Sequence, residues 1–384
     1  MRILFDFRTV QNRIGGAQEY TRSVFYALLA RINSLRLNHI EIIAAVDTTK
    51  PSTSYDDMVP EKLTTAISAI ADLGSSSLPD IIREFEINTV FIGAAQFWSE
   101  QYEIDRLTCK VVCVVHDICD SEYEFDKIDT YVHLFRPHGE LKTALSCLRK
   151  HRRNHRMDKV LSLINTNPNV KLITVSEYSK NSICYHFPID GNKIAVLFSP
   201  FRMGFSQYQI AHQELKELIN SGKRYYLMLS VNRPMKNAGK AIMAFKRYAQ
   251  NHSDAYLLTV GGTTPEFENH IVMPYLSESD LQVAYSHCHA LIFPSYFEGF
   301  GYPPIEAMRF GKPVLASNVT SIPEVLGNAP IYFSPFYTSD IYASLVKLEG
   351  MNYDEISKKS LAQYQIVRKR QDEDLAALVD LLIS

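Results

Sequence analysis

The sequence predicts an α/β protein of two domains, each built on a parallel sheet. Three observations carry that prediction. The chain has 384 residues, which is long for a single hydrophobic core. Short apolar runs of strand length alternate with longer amphipathic segments, the pattern of parallel sheets covered by helices on both faces. Several of those runs end in loops rich in glycine or charge, and open α/β sheets bind ligands at such strand ends.

Composition narrows the function classes. Hydrophobic residues make up 46% and charged residues 21% of the chain, an ordinary globular balance. A formal charge of −2 argues against a nucleic-acid binder held by global electrostatics. No apolar run approaches the ~20 residues of a membrane span. The opening MRILFDFR reads as a strand and not as a signal peptide. The six cysteines, at 109, 113, 119, 147, 184 and 288, show no framework spacing, so free thiols in a reducing cytoplasm are expected.

In the N-terminal half, residues 2–7 form the first expected strand. Gly15 and Gly16 lie in the loop that follows, and a helix is expected over 17–32 with Tyr20, Val24, Ala27 and Leu28 on its apolar face. Strand, glycine loop and helix make a phosphate-binding arrangement. Two glycines without the full spaced fingerprint fit a plain tight turn equally well. Arg22 reads as a solvated side chain. Residues 39–46 form a second strand, 47–63 a polar loop, 64–73 and 79–85 helical segments, and 89–92 a strand. Residues 110–117, KVVCVVHD, are a buried strand ending in His116-Asp117, where a ligand-facing histidine or a loop cap would sit. Cys113 and His116 stand three apart and so face opposite sides of a regular strand. That argues against a metal site with Cys119, and no metal is expected. Residues 122–169 hold a basic cluster from Arg149 to Lys159, read as a solvated helix face or as a peripheral contact to anionic headgroups or an acidic acceptor. Residues 171–176 are a strand, Ser176 caps the next helix, and 193–197 close the first domain.

In the C-terminal half, residues 224–231 open a second domain. The loop behind them carries Arg233 and Lys236, a fork and a point charge suited to a diphosphate. A helix over 238–251, a strand over 255–260 running into Gly261-Gly262, a short strand at 271–273 and a helix capped by Ser277 follow. The stretch 290–335 then organises the chain. Residues 290–293 read as a buried strand, and the loop 294–302 carries Glu298, Gly299, Phe300 and Gly301. Pro303 and Pro304 open a helix with Glu306 in its first turn, Gly311 ends it, and 313–316 are the next strand. A helix N-terminus attracts phosphate, and glycines allow close backbone approach. Glu298 and Glu306 are good acceptors for sugar hydroxyls. A ligand with hydroxyls at both ends and phosphates between is a sugar nucleotide. A short helix at 321–326, a strand at 331–333 and a helical tail from 354 complete the chain.

The stretch FEGFGYPPIEAMRFGKPV resembles the C-terminal signature of the retaining glycosyltransferases of family 4. These have the GT-B fold, two Rossmann-like domains facing across a cleft. The resemblance implies that Glu306 holds the ribose hydroxyls and Glu298 those of the donor sugar, with the backbone of Gly299, Phe300 and Gly301 touching sugar and diphosphate. Lys236 matches the family lysine that grips the diphosphate. The family arginine five residues earlier is Val231 here, and Arg233 substitutes for it. His116 would face the donor sugar, and Gly15-Gly16 the diphosphate. Phe198-Ser199-Pro200 stands where the family has an Asn-Gly pair. The resemblance also implies domains over 1–200 and 201–360, with 361–384 crossing back to the first. It implies metal-independent, retaining transfer of a hexose to a glycan or lipid-linked acceptor in cytoplasmic polysaccharide or glycoconjugate synthesis, without a cofactor. The opening MRILFDFR resembles mannosyltransferase-like members, which favours GDP-mannose over a UDP-sugar. A sugar-nucleotide epimerase or a phosphorylase of the same fold, and a binding protein without turnover, are the alternatives. A nicotinamide oxidoreductase lacks its glycine fingerprint here.

Overall fold

The computed structural model describes residues 1–11, 15–35, 39–49, 67–98, 102–122, 161–162, 164–201, 210–262, 267–273 and 275–384. They divide into two compact units. One holds the described residues up to Ser121, those from 161 to 201, and Lys369–Ser384; the other holds Glu122 and those from 210 to Arg368. The basic cluster Arg149–Lys159 and most of the polar loop at 47–63 lie outside the described residues.

The first unit is a parallel sheet of seven strands. They are β1 (Arg2–Asp6), β2 (Glu41–Val46), β3 (Ile67–Asp72), β4 (Thr89–Ile92), β5 (Lys110–Val114), β6 (Val170–Thr174) and β7 (Ile194–Val196). Their order is β3-β2-β1-β4-β5-β6-β7. From β1 the chain builds outward through β2 and β3, then returns to β1's other side with β4. The two directions part between β1 and β4, where Ile3 lies opposite Thr89. Such a switch point leaves a crevice at the carboxyl ends of the two strands. Every residue of β4 is buried, as expected for a central parallel strand covered on both faces.

Two expectations fail in this unit. Residues 64–73 were expected to be helical, but Ile67–Asp72 is β3, an edge strand beside β2. Its burial alternates with period two, and Ile70 faces outward at 53% exposure. Alanine and isoleucine suit both periods over so short a run, and pairing to β2 decides between them. The helix α1 spans Gly15–Leu35, so Gly15 and Gly16 form its first turn and not the loop before it. Gly15 opens it at φ +42°. Helix α2 (Glu177–His186) starts as expected, with Ser176 Oγ accepting from the Ser179 amide at 3.1 Å.

The second unit is a parallel sheet of six strands: β8 (Arg224–Leu229), β9 (Ala255–Val260), β10 (His270–Met273), β11 (Ala290–Phe293), β12 (Val314–Ser317) and β13 (Ile331–Phe333). The order is β10-β9-β8-β11-β12-β13. The switch point is therefore between β8 and β11, paired through Tyr226↔Ala290 and Leu227↔Leu291. Helices α3 (Ala238–Ala249), α4 (Glu278–His287), α5 (Tyr302–Arg309) and α6 (Thr338–Glu349) flank the sheet. One face of the core gathers Tyr226, Phe245, Tyr248, Ile292, Leu315 and Leu345.

Helix α7 (Tyr353–Ile383) begins in the second unit and ends in the first. Its last turns hold the segment 198–199 of the first unit. Asp374 accepts from the Phe198 amide at 2.8 Å, Gln371 donates to the Ser199 carbonyl at 2.7 Å, and Arg370 lies 4.0 Å over the Phe198 ring. Among the described residues no helix is long and apolar enough to cross a membrane.

Candidate active site

The second unit concentrates charge at its switch point. Strand β8 ends at Leu229 and runs into a loop closed by a single 3-10 turn over Pro234–Lys236. Strand β11 ends at Phe293 and runs into the loop that carries Glu298. The two loops are stitched together. The Tyr296 amide donates to the Met235 carbonyl at 2.8 Å. Asn237, fully buried and left-handed at φ +53°, donates its side-chain amide to the carbonyls of Pro294 at 3.0 Å and Pro335 at 2.9 Å.

This framework brings Lys236 and Glu298 together. Lys236 Nζ meets Glu298 Oε1 at 2.5 Å, with the two side chains only 10% and 13% exposed. The ammonium also lies 5.2 Å from the Phe293 ring. Glu298 is pinned through its backbone. Its amide donates to Thr320 Oγ1 at 3.2 Å, and its carbonyl accepts from Ser321 Oγ at 2.8 Å. Arg233, on the same loop as Lys236, is exposed.

Gly301 caps α5 at φ +95°, a conformation glycine adopts without steric cost. Phe300 is buried beside Tyr302, with ring centroids 5.6 Å apart. Helix α5 begins at Tyr302, which puts Glu306 just past the first turn and not within it. Glu306 is buried, and its Oε2 accepts from the Tyr285 hydroxyl of α4 at 2.6 Å. Tyr285, Thr320, Ser321 and the bridging role of Asn237 were not singled out from sequence. None has a local signature, because each acts on a residue distant in the chain.

The first unit has its own strand-end constellation. His116 follows β5, and its Nε2 lies 2.8 Å from the Gly93 carbonyl beyond β4. A carbonyl only accepts, so Nε2 carries the proton and Nδ1 is the acceptor nitrogen. The ring packs edge-on to Tyr20 of α1 at 4.8 Å. Burial pulls the imidazole down to about 4 from its usual 6.5, against the opposing hydrogen bond to Gly93, so His116 is neutral at pH 7. Gly93 is needed here, since a β-carbon on it would lie 2.2 Å from Thr21 Oγ1. Beside it, Asp6 at the end of β1 accepts from Arg8 Nε and Nη2 at 3.0 and 2.9 Å and from the Tyr102 hydroxyl at 2.7 Å. All three residues are buried.

Residues 210–332 match the family model described as "Glycosyl transferases group 1". This part of the chain is a group 1 glycosyltransferase domain. The match contains Arg233, Lys236, Glu298 and Glu306 together. Among known proteins, the chain is 24% identical over 330 residues to the serotype-specific mannosyltransferase WbdA of Escherichia coli, covering 81% of this chain and 38% of that one. It is 30% identical over 216 residues to the O-antigen chain mannosyltransferase RfbU of Salmonella typhimurium, covering 52% and 57%. The chain thus spans well under half the length of WbdA. Among solved structures, Anabaena HepE in complex with UDP and glucose superposes with a TM-score of 0.67 at 14% identity, over 100% of both chains. The fold around the group 1 domain is GT-B, with its two parallel-sheet α/β domains.

Proposed function

We propose that the chain is a retaining glycosyltransferase that moves a hexose from a nucleotide-diphosphate sugar to a hydroxyl of a glycan acceptor in polysaccharide synthesis. The observation that carries this reading is the Lys236–Glu298 pair at the β8/β11 switch point, in the crevice where α/β sheets take nucleotides. A cation for the diphosphate and a carboxylate for sugar hydroxyls stand in contact, so one ligand would have to bring both chemistries. In this reading Arg233 and Lys236 hold the diphosphate, Glu298 and the backbone of Gly299, Phe300 and Gly301 hold the sugar, and Glu306 takes the ribose hydroxyls. The N-terminus of α5 lies beside them and favours negative charge.

The bond from the anomeric carbon to the diphosphate oxygen breaks, and the leaving oxygen gains charge. Lys236, enclosed and already oriented, stabilises that charge without reorganising. The acceptor hydroxyl attacks from the same face and passes its proton to the departing diphosphate. Glu298 is not assigned as a covalent nucleophile. In the first unit, neutral His116 offers Nδ1 as a hydrogen-bond acceptor to substrate. The two mannosyltransferase relatives support mannose as the sugar, and the resemblance of the opening MRILFDFR favours GDP as its carrier.

The test is transfer from GDP-mannose and UDP-glucose to a mannose-terminated acceptor, with the product's anomeric configuration read by proton NMR. Transfer with an α-configured product, lost in Lys236→Ala and Glu298→Ala, is expected. Turnover with inversion, or none from any sugar nucleotide by folded protein, overturns the proposal.

A further inference from the structure

We infer that Glu298 makes the site select a sugar nucleotide over a bare nucleoside diphosphate, by competing with the phosphates for Lys236. The inference rests on the donor-site reading above and goes beyond it. The cation meant for the diphosphate and the carboxylate meant for the sugar are bonded to each other, Nζ to Oε1 at 2.5 Å, in a nearly enclosed setting. Opening that pair leaves two charges that each need a partner, because an unpaired charge in an enclosed place is costly.

A sugar nucleotide supplies both partners at once. Its diphosphate takes Lys236, and its sugar hydroxyls donate to Glu298. A bare diphosphate supplies only the first. Glu298 is then left without a donor, or it keeps Lys236 and the phosphates lose their cation. Glu298 thus acts against the product of the reaction and in favour of the donor, and re-formation of the pair helps expel the diphosphate once the sugar has gone.

The backbone leaves side-chain rotation as the means of exchange. Glu298 is held on both sides by Thr320 and Ser321. Lys236 is closed into a turn by its amide donating to the Arg233 carbonyl, and the neighbouring Asn237 fixes that turn to Pro294 and Pro335. The bonds that hold Glu298 in place are backbone bonds, so Glu298→Gln keeps them while it removes the charge and exchanges one acceptor oxygen for an amide donor.

The experiment is a double-mutant cycle read by calorimetric binding of GDP, UDP, GDP-mannose and UDP-glucose. It uses the unaltered chain, Glu298→Gln, Lys236→Met and the double variant, each checked for folding by circular dichroism. Lys236→Gln replaces Lys236→Met if the latter unfolds. Glu298→Gln should tighten the bare diphosphate by roughly five- to tenfold, the size expected for releasing an ion pair more enclosed than a surface one. It should also erase the preference for the sugar nucleotide. In the Lys236→Met background the same change should leave diphosphate binding unaltered. Unchanged or weaker diphosphate binding in Glu298→Gln overturns the inference. So does equal tightening in both backgrounds, which is plain charge repulsion; in either case the donor-site reading stands. No binding of any of the four compounds by the unaltered chain overturns the donor-site reading, and this inference with it.

Discussion

Replacing Tyr285 with phenylalanine isolates the support given to Glu306. The Tyr285 ring is fully buried and Glu306 is 5% exposed, so the hydroxyl donates to a carboxylate largely cut off from water, at 2.6 Å. Phenylalanine keeps the ring and its packing, which leaves the lost hydrogen bond as the main change. A hydrogen bond to a charged group contributes about 1.5–3 kcal/mol. For a unit of this size that is a fall in Tm of roughly 3–12 °C. Thermal unfolding followed by circular dichroism reads it directly. The companion variants are Glu306→Gln and the double substitution. In the Glu306→Gln background the acceptor is neutral, so removing the hydroxyl should cost less, and the cycle should show a coupling above ~0.5 kcal/mol. If Tyr285→Phe melts with the unaltered chain in both backgrounds, the reasoning fails, because Glu306 is then solvated some other way.

Gly301→Ala should lower the urea midpoint by the equivalent of about 1–2 kcal/mol, the cost of a β-carbon in a left-handed conformation; Phe293 at 3.5 Å leaves room for the methyl, so the cost is strain and not collision. Gly93→Ala should cost about 1–3 kcal/mol through overpacking against Thr21, and Gly93→Ala combined with Thr21→Ala should recover most of it. For His116 the folded state holds the imidazole at about 4 while the unfolded chain titrates near 6.5. The unfolded state therefore binds more protons between those values, and this contribution to stability is intact above pH ~6.5 and lost as pH falls toward 4. Urea midpoints of the unaltered chain and His116→Gln should accordingly diverge less at pH 5 than at pH 7, or reverse.

How much of this was legible from sequence depends on how local each cause is. Strands β4, β9, β11 and β13 were read with the bounds they have, because a short apolar run between turn residues has few other fates. The Ser176 and Ser277 caps were legible for the same reason, since a cap is set by residues three apart. Lys236, Glu298 and Glu306 were legible as residue types in an arrangement: charge on a strand-end loop and carboxylates around a helix start. Their contacts were not. That Lys236 bonds Glu298 depends on β8 and β11 being neighbours, and that Glu306 is held by Tyr285 depends on α4 beside α5. β3 was misread as helix because its pattern is decided by a strand upstream, β2, through pairs such as Ala44↔Ile70 and Ala45↔Ala71. Asp6, Arg8 and Tyr102 escaped notice because a buried ion pair two residues apart looks, in sequence, like an alternating strand end.

Backbone strain in the second unit falls on the same two loops that carry Lys236 and Glu298. Non-glycine residues with positive φ among its described residues are Ser230, Asn237 and Thr320, at +56°, +53° and +55°. All three follow the carboxyl ends of strands, the first two after β8 and the third after β12. Asparagine tolerates that conformation, but a β-branched threonine does not. Strain of this kind costs on the order of 1–3 kcal/mol and persists only where the surroundings enforce it. Here the return is visible: Thr320 aims its hydroxyl at the Glu298 amide. Ser230 is accommodated by Gly261, where a β-carbon would lie 3.1 Å from the Ser230 Cα. The glycine pair after β9 thus makes room for the β8 loop by absence of a side chain. Strain at Ser230 and Asn237 fixes the loop of Lys236, and strain at Thr320 fixes that of Glu298. With both loops fixed, the backbone positions from which the two charged side chains reach each other are set, which is the condition under which a single ion pair can weigh one ligand against another.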